Sequence, residues 1–222
     1  MGEMIKLTAR DGVTIGAYKA EPAHRARGGI VVLQEIFGVN HHIRNVADGF
    51  AAAGYLVIAP AIFDRVERDA ELGYSPKDVR KGLNLRSRTK LQNALADIEA
   101  TMGAAAQAGN VGIVGYCWGG TLTYAAATHL SGIAAAVAYY GSGIAAMSDE
   151  VLLAPIEFHF GEEDKSIPPD DVEKIRLAHP DSGFFLYPAG HAFACDERPS
   201  YDAKSAELAQ KRTLEFFARQ VG

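Results

Sequence analysis

The sequence predicts an α/β protein: a mostly parallel central sheet with helices on both faces and an antiparallel N-terminal hairpin at one edge. Three observations predict it. From residue 29 onward, short apolar runs alternate with helical patterns. Runs such as Gly29-Ile30-Val31-Val32-Leu33 are apolar throughout, as expected of strands covered on both faces. Before them, residues 5–17 alternate apolar and polar about Asp11-Gly12, the pattern of a half-exposed hairpin.

The 222 residues suit one α/β domain spanning 1–222, and 48% of them are hydrophobic, enough for a sizeable core. The net charge is −5 with both signs dispersed, which gives no footprint for nucleic acid. Two cysteines do not make a disulfide framework and point to a reduced, cytoplasmic setting. The N-terminus shows no apolar signal core, and no apolar run is long enough to span a bilayer. A monomer is the default expectation.

Taken in order, Ala20 to Gly28 is a polar loop, and Gly29 to Leu33 is the first buried strand. Asn40 is placed to cap a helix that runs through Phe50 to Ala53 and is closed by Gly54. Leu56 to Ala59 is the next strand, ended by Pro60. Ala61 to Ser87 reads as an irregular excursion with a short helix from Pro76. Arg86 to Ala108 reads as one long helix, with Leu91, Leu95, Ile98 and Met102 at helical spacing. Val111 to Val114 is a strand, followed by a helix to His129; Ile133 to Tyr139 and Ile156 to Phe160 are strands. Pro168-Pro169 starts a helix to about Ala178, and Phe184 to Tyr187 is the last strand. A final helix starts near Ser200 with Leu214, Phe217 and Val221 on one face, and Glu207 is spaced to pair with Lys211.

Chemistry gathers at one hexapeptide, Gly115-Tyr116-Cys117-Trp118-Gly119-Gly120. Between a strand and a helix it is a nucleophile elbow with cysteine in place of serine. Gly115 and Gly119 leave room for a sharp turn, and Cys117 falls at a helix N-terminus, where the dipole favours negative charge. A buried structural cysteine is the bland alternative. Two further residues follow strands: Asp164 in Gly161-Glu162-Glu163-Asp164 and His191 in Gly190-His191-Ala192. Strand ends of a parallel sheet share one edge, and nucleophile, acid, histidine is the chain order of α/β-hydrolase triads. Cys117 is then the nucleophile, His191 the base and Asp164 its orienting partner. Adjacent His41 and His42 point apart on a helix and lack metal-ligand spacing, so no metal and no cofactor is expected; they read as helix-start residues near the pocket.

The sequence resembles the dienelactone hydrolases (carboxymethylenebutenolidases) of the α/β-hydrolase fold over essentially its whole length. The elbow, Gln34-Glu35-Ile36-Phe37-Gly38, Tyr139-Tyr140-Gly141, Gly161-Glu162-Glu163-Asp164 and Gly190-His191-Ala192-Phe193 carry the resemblance. It implies the same triad, with Glu35 contacting the nucleophile at rest and helping to form the thiolate; the bland alternative for Glu35 is a strand-end carboxylate paired with a nearby arginine. It implies an oxyanion hole from the backbone N–H groups of Trp118 and Ile36, and it sets Phe37 and Tyr140 beside the substrate. Family members bind a substrate carboxylate with arginines, one of them four residues after the catalytic histidine. Here that position is Cys195, with Arg198 nearby. The second arginine matches Arg80 best, with Arg86 and Arg88 as rivals; the bland reading of all of them is a solvated basic face. Cys195 itself reads as packing, with redox sensitivity as the alternative.

Thiolate is a better leaving group than alkoxide, since a thiol has a pKa of roughly 8.5. An adduct on a simple alkyl ester would revert, whereas an enol lactone carries a stabilised leaving group. The expected activity is therefore hydrolysis of activated esters, above all enol lactones. The alternatives are a broader carboxylesterase or thioesterase of the same fold, or a thiol-based sensor without turnover.

Overall fold

The computed structural model describes residues 2–222. Eight strands form one sheet: β1 (Glu3–Thr8), β2 (Thr14–Ala20), β3 (Gly29–Leu33), β4 (Leu56–Pro60), β5 (Val111–Tyr116), β6 (Ile133–Tyr139), β7 (Ile156–Gly161) and β8 (Gly183–Tyr187). Their order is β1-β2-β4-β3-β5-β6-β7-β8. β1 and β2 pair antiparallel, β2 meets β4 antiparallel, and every later pairing is parallel. The expected hairpin lies at the edge, and its outer strand alternates in exposure while β3, β4 and β5 are buried throughout. One consequence matters for function. The six strands from β3 to β8 run in one direction, so their C-terminal ends open along a single edge.

Six α-helices cover the sheet: α1 (His41–Ala52), α2 (Pro76–Arg88), α3 (Leu91–Ala105), α4 (Trp118–His129), α5 (Pro169–Ala178) and α6 (Ala203–Gln220). α1 and α6 meet through the edge-on rings of Phe50 and Phe217, 5.9 Å apart, while α3 and α4 pack against each other. As expected, Asn40 caps α1, its side-chain oxygen accepting from the Ile43 N–H at 3.2 Å. No helix among the described residues is long and apolar enough to cross a membrane.

The structure corrects three expectations. The long helix predicted over 86–108 is two helices. Arg86 and Arg88 finish α2, Thr89 is extended, and α3 begins at Leu91. The reason lies at the start and the middle of α2. A capping box between Ser75 and Asp78 fixes its start. Gly82 then presses it against the loop after β3, where a Cβ would come within 2.1 Å of the Ile36 carbonyl oxygen. α2 must follow that loop, whereas α3 lies along the sheet. The strand before the elbow runs on to Tyr116, two residues past Val114. Lys211 pairs with Glu215 at 4.0 Å instead of Glu207, whose side chain borders a cleft between α1 and α6.

The excursion also holds a 3-10 turn, Ile62–Arg65, pinned by charge. Arg65 lies between the fully buried Asp97 of α3 and Asp11 of the hairpin turn, donating to Asp97 from Nε and Nη2 at 2.8 Å. Removing one partner of such a buried pair typically costs about 3–5 kcal/mol. The pinned turn supports the functional edge twice. The Ile62 N–H donates to Gln34 Oε1 at 3.1 Å, and Phe63 stacks on Trp118 at 5.1 Å.

Candidate active site

Each residue of the expected triad follows a strand. Cys117 follows β5 with φ 55° and ψ −116°, a backbone conformation that residues other than glycine rarely adopt. Its surroundings leave little alternative. A Cβ on Gly115 would come within 2.1 Å of the Gly119 carbonyl oxygen, and one on Gly119 within 2.3 Å of that of Leu33. The start of α4 is thereby drawn against the ends of β3 and β5. The Cys117 N–H is anchored on the Tyr139 carbonyl at 3.0 Å, so its side chain projects at the helix N-terminus, half-buried.

Asp164 follows β7 and is buried. Its Oδ1 accepts from the Ser166 N–H at 2.7 Å, which sets the other oxygen toward His191. His191 follows β8, with Nδ1 2.7 Å from Asp164 Oδ2 and Nε2 3.2 Å from Cys117 Sγ. One ring therefore bridges acid and thiol. Burial alone would push the His191 pKa down. Its hydrogen bonds with Asp164 and Cys117 outweigh burial and hold it up at about 10. Tyr140, with φ 36° and its ring 5.2 Å from His191, closes the site from the end of β6.

The N–H groups of Trp118 and Ile36 make no hydrogen bond among the described residues. Trp118 opens α4, where no preceding carbonyl is in reach, and its ring is fixed on Phe63. Ile36 is held by Gln34, whose Nε2 donates to the Glu35 carbonyl at 3.3 Å while its Oε1 takes the Ile62 N–H. Sequence reasoning gave Gln34 no task beyond its motif; it splints this loop. Two free N–H groups beside a thiol at a helix start can receive an oxyanion.

Glu35 is fully buried, yet neither carboxylate oxygen has a hydrogen-bond partner. It makes no hydrogen bond to Cys117, whose sulfur faces His191. Its nearest cation is Arg198, Nη1 lying 3.5 Å from Oε1, which is ion-pair distance but too long for a good hydrogen bond. Arg198 lies over Phe37 and Tyr74, at 5.7 and 6.0 Å from the ring centres. Phe37 is buried edge-on to Tyr74. Arg80 sits exposed on α2, Arg86 is half-buried there, and Arg88 is exposed.

Cys195 is wholly buried, and burial, reinforced by the negative charge of Glu35, pushes its thiol up to about 12. Its sulfur lies 3.4 Å from Tyr74 Oη. His41 is exposed against Glu197, whereas His42 is buried with Nδ1 3.0 Å from Asp196 Oδ1. The pair does point apart. Glu35, His42 and Cys195 nevertheless converge, one donor atom from each lying within 4.8 Å of the others. No spacing rule could find that cluster, because its members come from three separate segments.

Comparison with known proteins gives the family. The sequence pattern of the Dienelactone hydrolase family matches residues 15–221. A carboxymethylenebutenolidase of Pseudomonas sp. is 32% identical, covering 98% of this chain and 95% of its own. A Synechocystis sp. protein named "Putative carboxymethylenebutenolidase" is 36% identical over 93% of this chain and 92% of its own. In three dimensions, a Klebsiella pneumoniae protein named "Putative Dienelactone Hydrolase" superposes with a TM-score of 0.84 at 33% identity, over 99% of both chains. With a family match across nearly the whole chain and relatives of this identity, the protein belongs to the dienelactone hydrolase family.

Proposed function

We propose that this hydrolase opens activated carboxylic esters, above all dienelactone-type enol lactones, through a Cys117–His191–Asp164 triad. The observation that carries the reading is the bridging position of His191, 2.7 Å from Asp164 and 3.2 Å from Cys117. The Cys117 sulfur attacks the lactone carbonyl carbon. The carbonyl oxygen takes the negative charge between the Trp118 and Ile36 N–H groups. Collapse breaks the ring C–O bond, leaving a thioester on Cys117 and an enolate that takes a proton from His191. Water, deprotonated by His191, then attacks the thioester and releases the carboxylic acid and the thiol.

The elevated pKa of His191 suits both halves. Near neutrality the ring holds the proton that the leaving enolate needs. Acylation ends the hydrogen bond between the ring and the free sulfur and with it one of the two supports for that proton. In the acyl-enzyme the ring therefore gives its proton up more readily and can serve as base. Asp164 keeps Nδ1 protonated and Nε2 toward the chemistry. Glu35 assists thiolate formation from its buried position, and Arg198, over Phe37 and beside Glu35, is the cation placed to meet a substrate carboxylate.

The test is steady-state hydrolysis of a dienelactone carboxylate, followed by its ring absorbance, before and after iodoacetamide. Turnover abolished by alkylation is the expected result. A second reading, a broader carboxylesterase or thioesterase, is favoured by one observation: Cys195 occupies the position of an expected arginine. Alkylation-sensitive turnover of aryl esters or thioesters with none of the lactone would select it. Absence of turnover on every acyl substrate would leave the thiol-sensor reading instead.

A further inference from the structure

We propose that Glu35, His42 and Cys195 form a binding site for a borderline-soft divalent cation, with Zn²⁺ the ion their chemistry fits best. One carboxylate oxygen, one imidazole nitrogen and one sulfur lie within 4.8 Å of one another, and all three residues are buried. A mixed O, N and S donor set selects zinc and its neighbours over magnesium or calcium, which prefer oxygen alone.

Proximity alone would not make a site; the unmet bonding does. Both oxygens of Glu35 and Nε2 of His42 are buried without a hydrogen-bond partner. A buried carboxylate without hydrogen bonds is costly, and the Arg198 guanidinium at 3.5 Å offsets only part of that. His42 is also prepared as a ligand. Its Nδ1, 3.0 Å from Asp196 Oδ1, carries the proton toward that carboxylate and leaves the Nε2 lone pair free. This carboxylate–imidazole arrangement is the usual support of a metal-bound histidine.

A cleft of about 220 Å³ between α1 and α6 is lined by His42 and Asp196 and so borders the cluster on its imidazole side. On binding, the cation displaces the proton of the Cys195 thiol to solvent, and a metal–thiolate bond replaces the S–H bond. No electron changes hands. The charges balance, since one dication meets one carboxylate and one thiolate. Three protein ligands leave the fourth tetrahedral position for water. The site shares Glu35 with the reaction proposed above, so occupancy would lower turnover. That consequence rests on the functional reading; the binding does not.

The test reads binding without turnover, so the two fail separately. Cys117→Ser protein, which cannot bind metal through its elbow thiol, is dialysed against chelator and titrated with Co²⁺. The expected result is one Co²⁺ per chain with a thiolate-to-cobalt charge-transfer band, displaced by one equivalent of Zn²⁺. Adding Cys195→Ser removes the band, and adding His42→Gln weakens binding by about 100-fold or more. Asp196→Asn alters a side chain that is 57% exposed, leaves the core intact, and should weaken binding by about tenfold or more. No charge-transfer band in Cys117→Ser, a band that survives Cys195→Ser, or unchanged affinity in Asp196→Asn overturns the proposal.

Discussion

Near the functional edge of the sheet stand two clusters of the same composition: a carboxylate, an imidazole and a thiol. In the first, Asp164, His191 and Cys117 are joined in series at 2.7 and 3.2 Å. In the second, Glu35, His42 and Cys195 converge without bonding one another, and the histidine turns its bonded nitrogen to Asp196. The difference is one of backbone more than of residue type. Cys117 is lifted out of the core by a positive φ at the elbow, and Asp164 and His191 follow neighbouring parallel strands. Cys195 lies inside the loop between β8 and α6, fully buried. The same three functional groups are thus joined for the proposed proton transfer in one place and grouped for the proposed coordination in the other.

Turnover separates the clusters most widely. His191→Ala should lower kcat by about 10⁶-fold, and Asp164→Asn by about 10⁴-fold through loss of the correct tautomer. His42→Gln, in metal-free protein, should lower it by less than about tenfold, since His42 orients no reacting atom. Comparable losses from His191→Ala and His42→Gln in steady-state assays would break the distinction.

Thiol reactivity separates them next. With native protein at pH 8, iodoacetamide should add one carboxamidomethyl group, on Cys117, as read by peptide mass spectrometry. Cys195 is enclosed and its thiol is held up at about 12, so its thiolate fraction at pH 8 is on the order of 10⁻⁴. Two adducts should appear only after unfolding. Modification of Cys195 in the native state would mean that its burial is not maintained in solution.

The first cluster could be read from the sequence and the second could not. Nucleophile, acid and histidine each follow a strand, and a parallel sheet carries all such positions to one edge, so strand recognition alone assembled Asp164, His191 and Cys117. The elbow glycines gave the sharp turn in the same way. Glu35, His42 and Cys195 are brought together by the packing of a loop, the start of α1 and a turn after β8. Those are tertiary contacts without periodicity. The split between α2 and α3 escaped for a related reason: no Gly or Pro marks the break at Thr89, and α2 is held by the close approach of Gly82 to the Ile36 carbonyl, a tertiary contact. Gln34 was visible as part of a motif, but its task depends on Ile62 across the sheet edge.

A third measurement concerns the pH dependence of stability. His191 is held above its unfolded value, from 6.5 to about 10, against the opposing effect of burial. A raised pKa means that the folded state binds the proton more tightly. The stabilisation is therefore complete below pH 6.5 and is lost as pH rises toward 10. Urea unfolding across that interval should show stability falling with pH, and His191→Ala should flatten the decline. An equally steep decline in the variant would assign it to other groups.

The smallest expected effect tests the elbow itself. Cys117 holds φ 55° and ψ −116°, and a side chain in such a conformation costs about 1–3 kcal/mol. Glycine adopts it without that penalty, although it gives up the packing of a half-buried side chain and adds flexibility to the unfolded chain. Cys117→Gly should therefore be inactive yet more stable than the parent by about 1 kcal/mol, read as a raised urea midpoint at unchanged slope. Cys195→Ala should move the other way by about 1–2 kcal/mol, because it opens a cavity in a filled core and relieves no strain. Opposite signs would mean that one thiol is carried at a cost to the fold and the other contributes to it. Equal losses from both substitutions would mean that the elbow stores no strain, and that the left-handed backbone at Cys117 is supported by the packing around Gly115 and Gly119 alone.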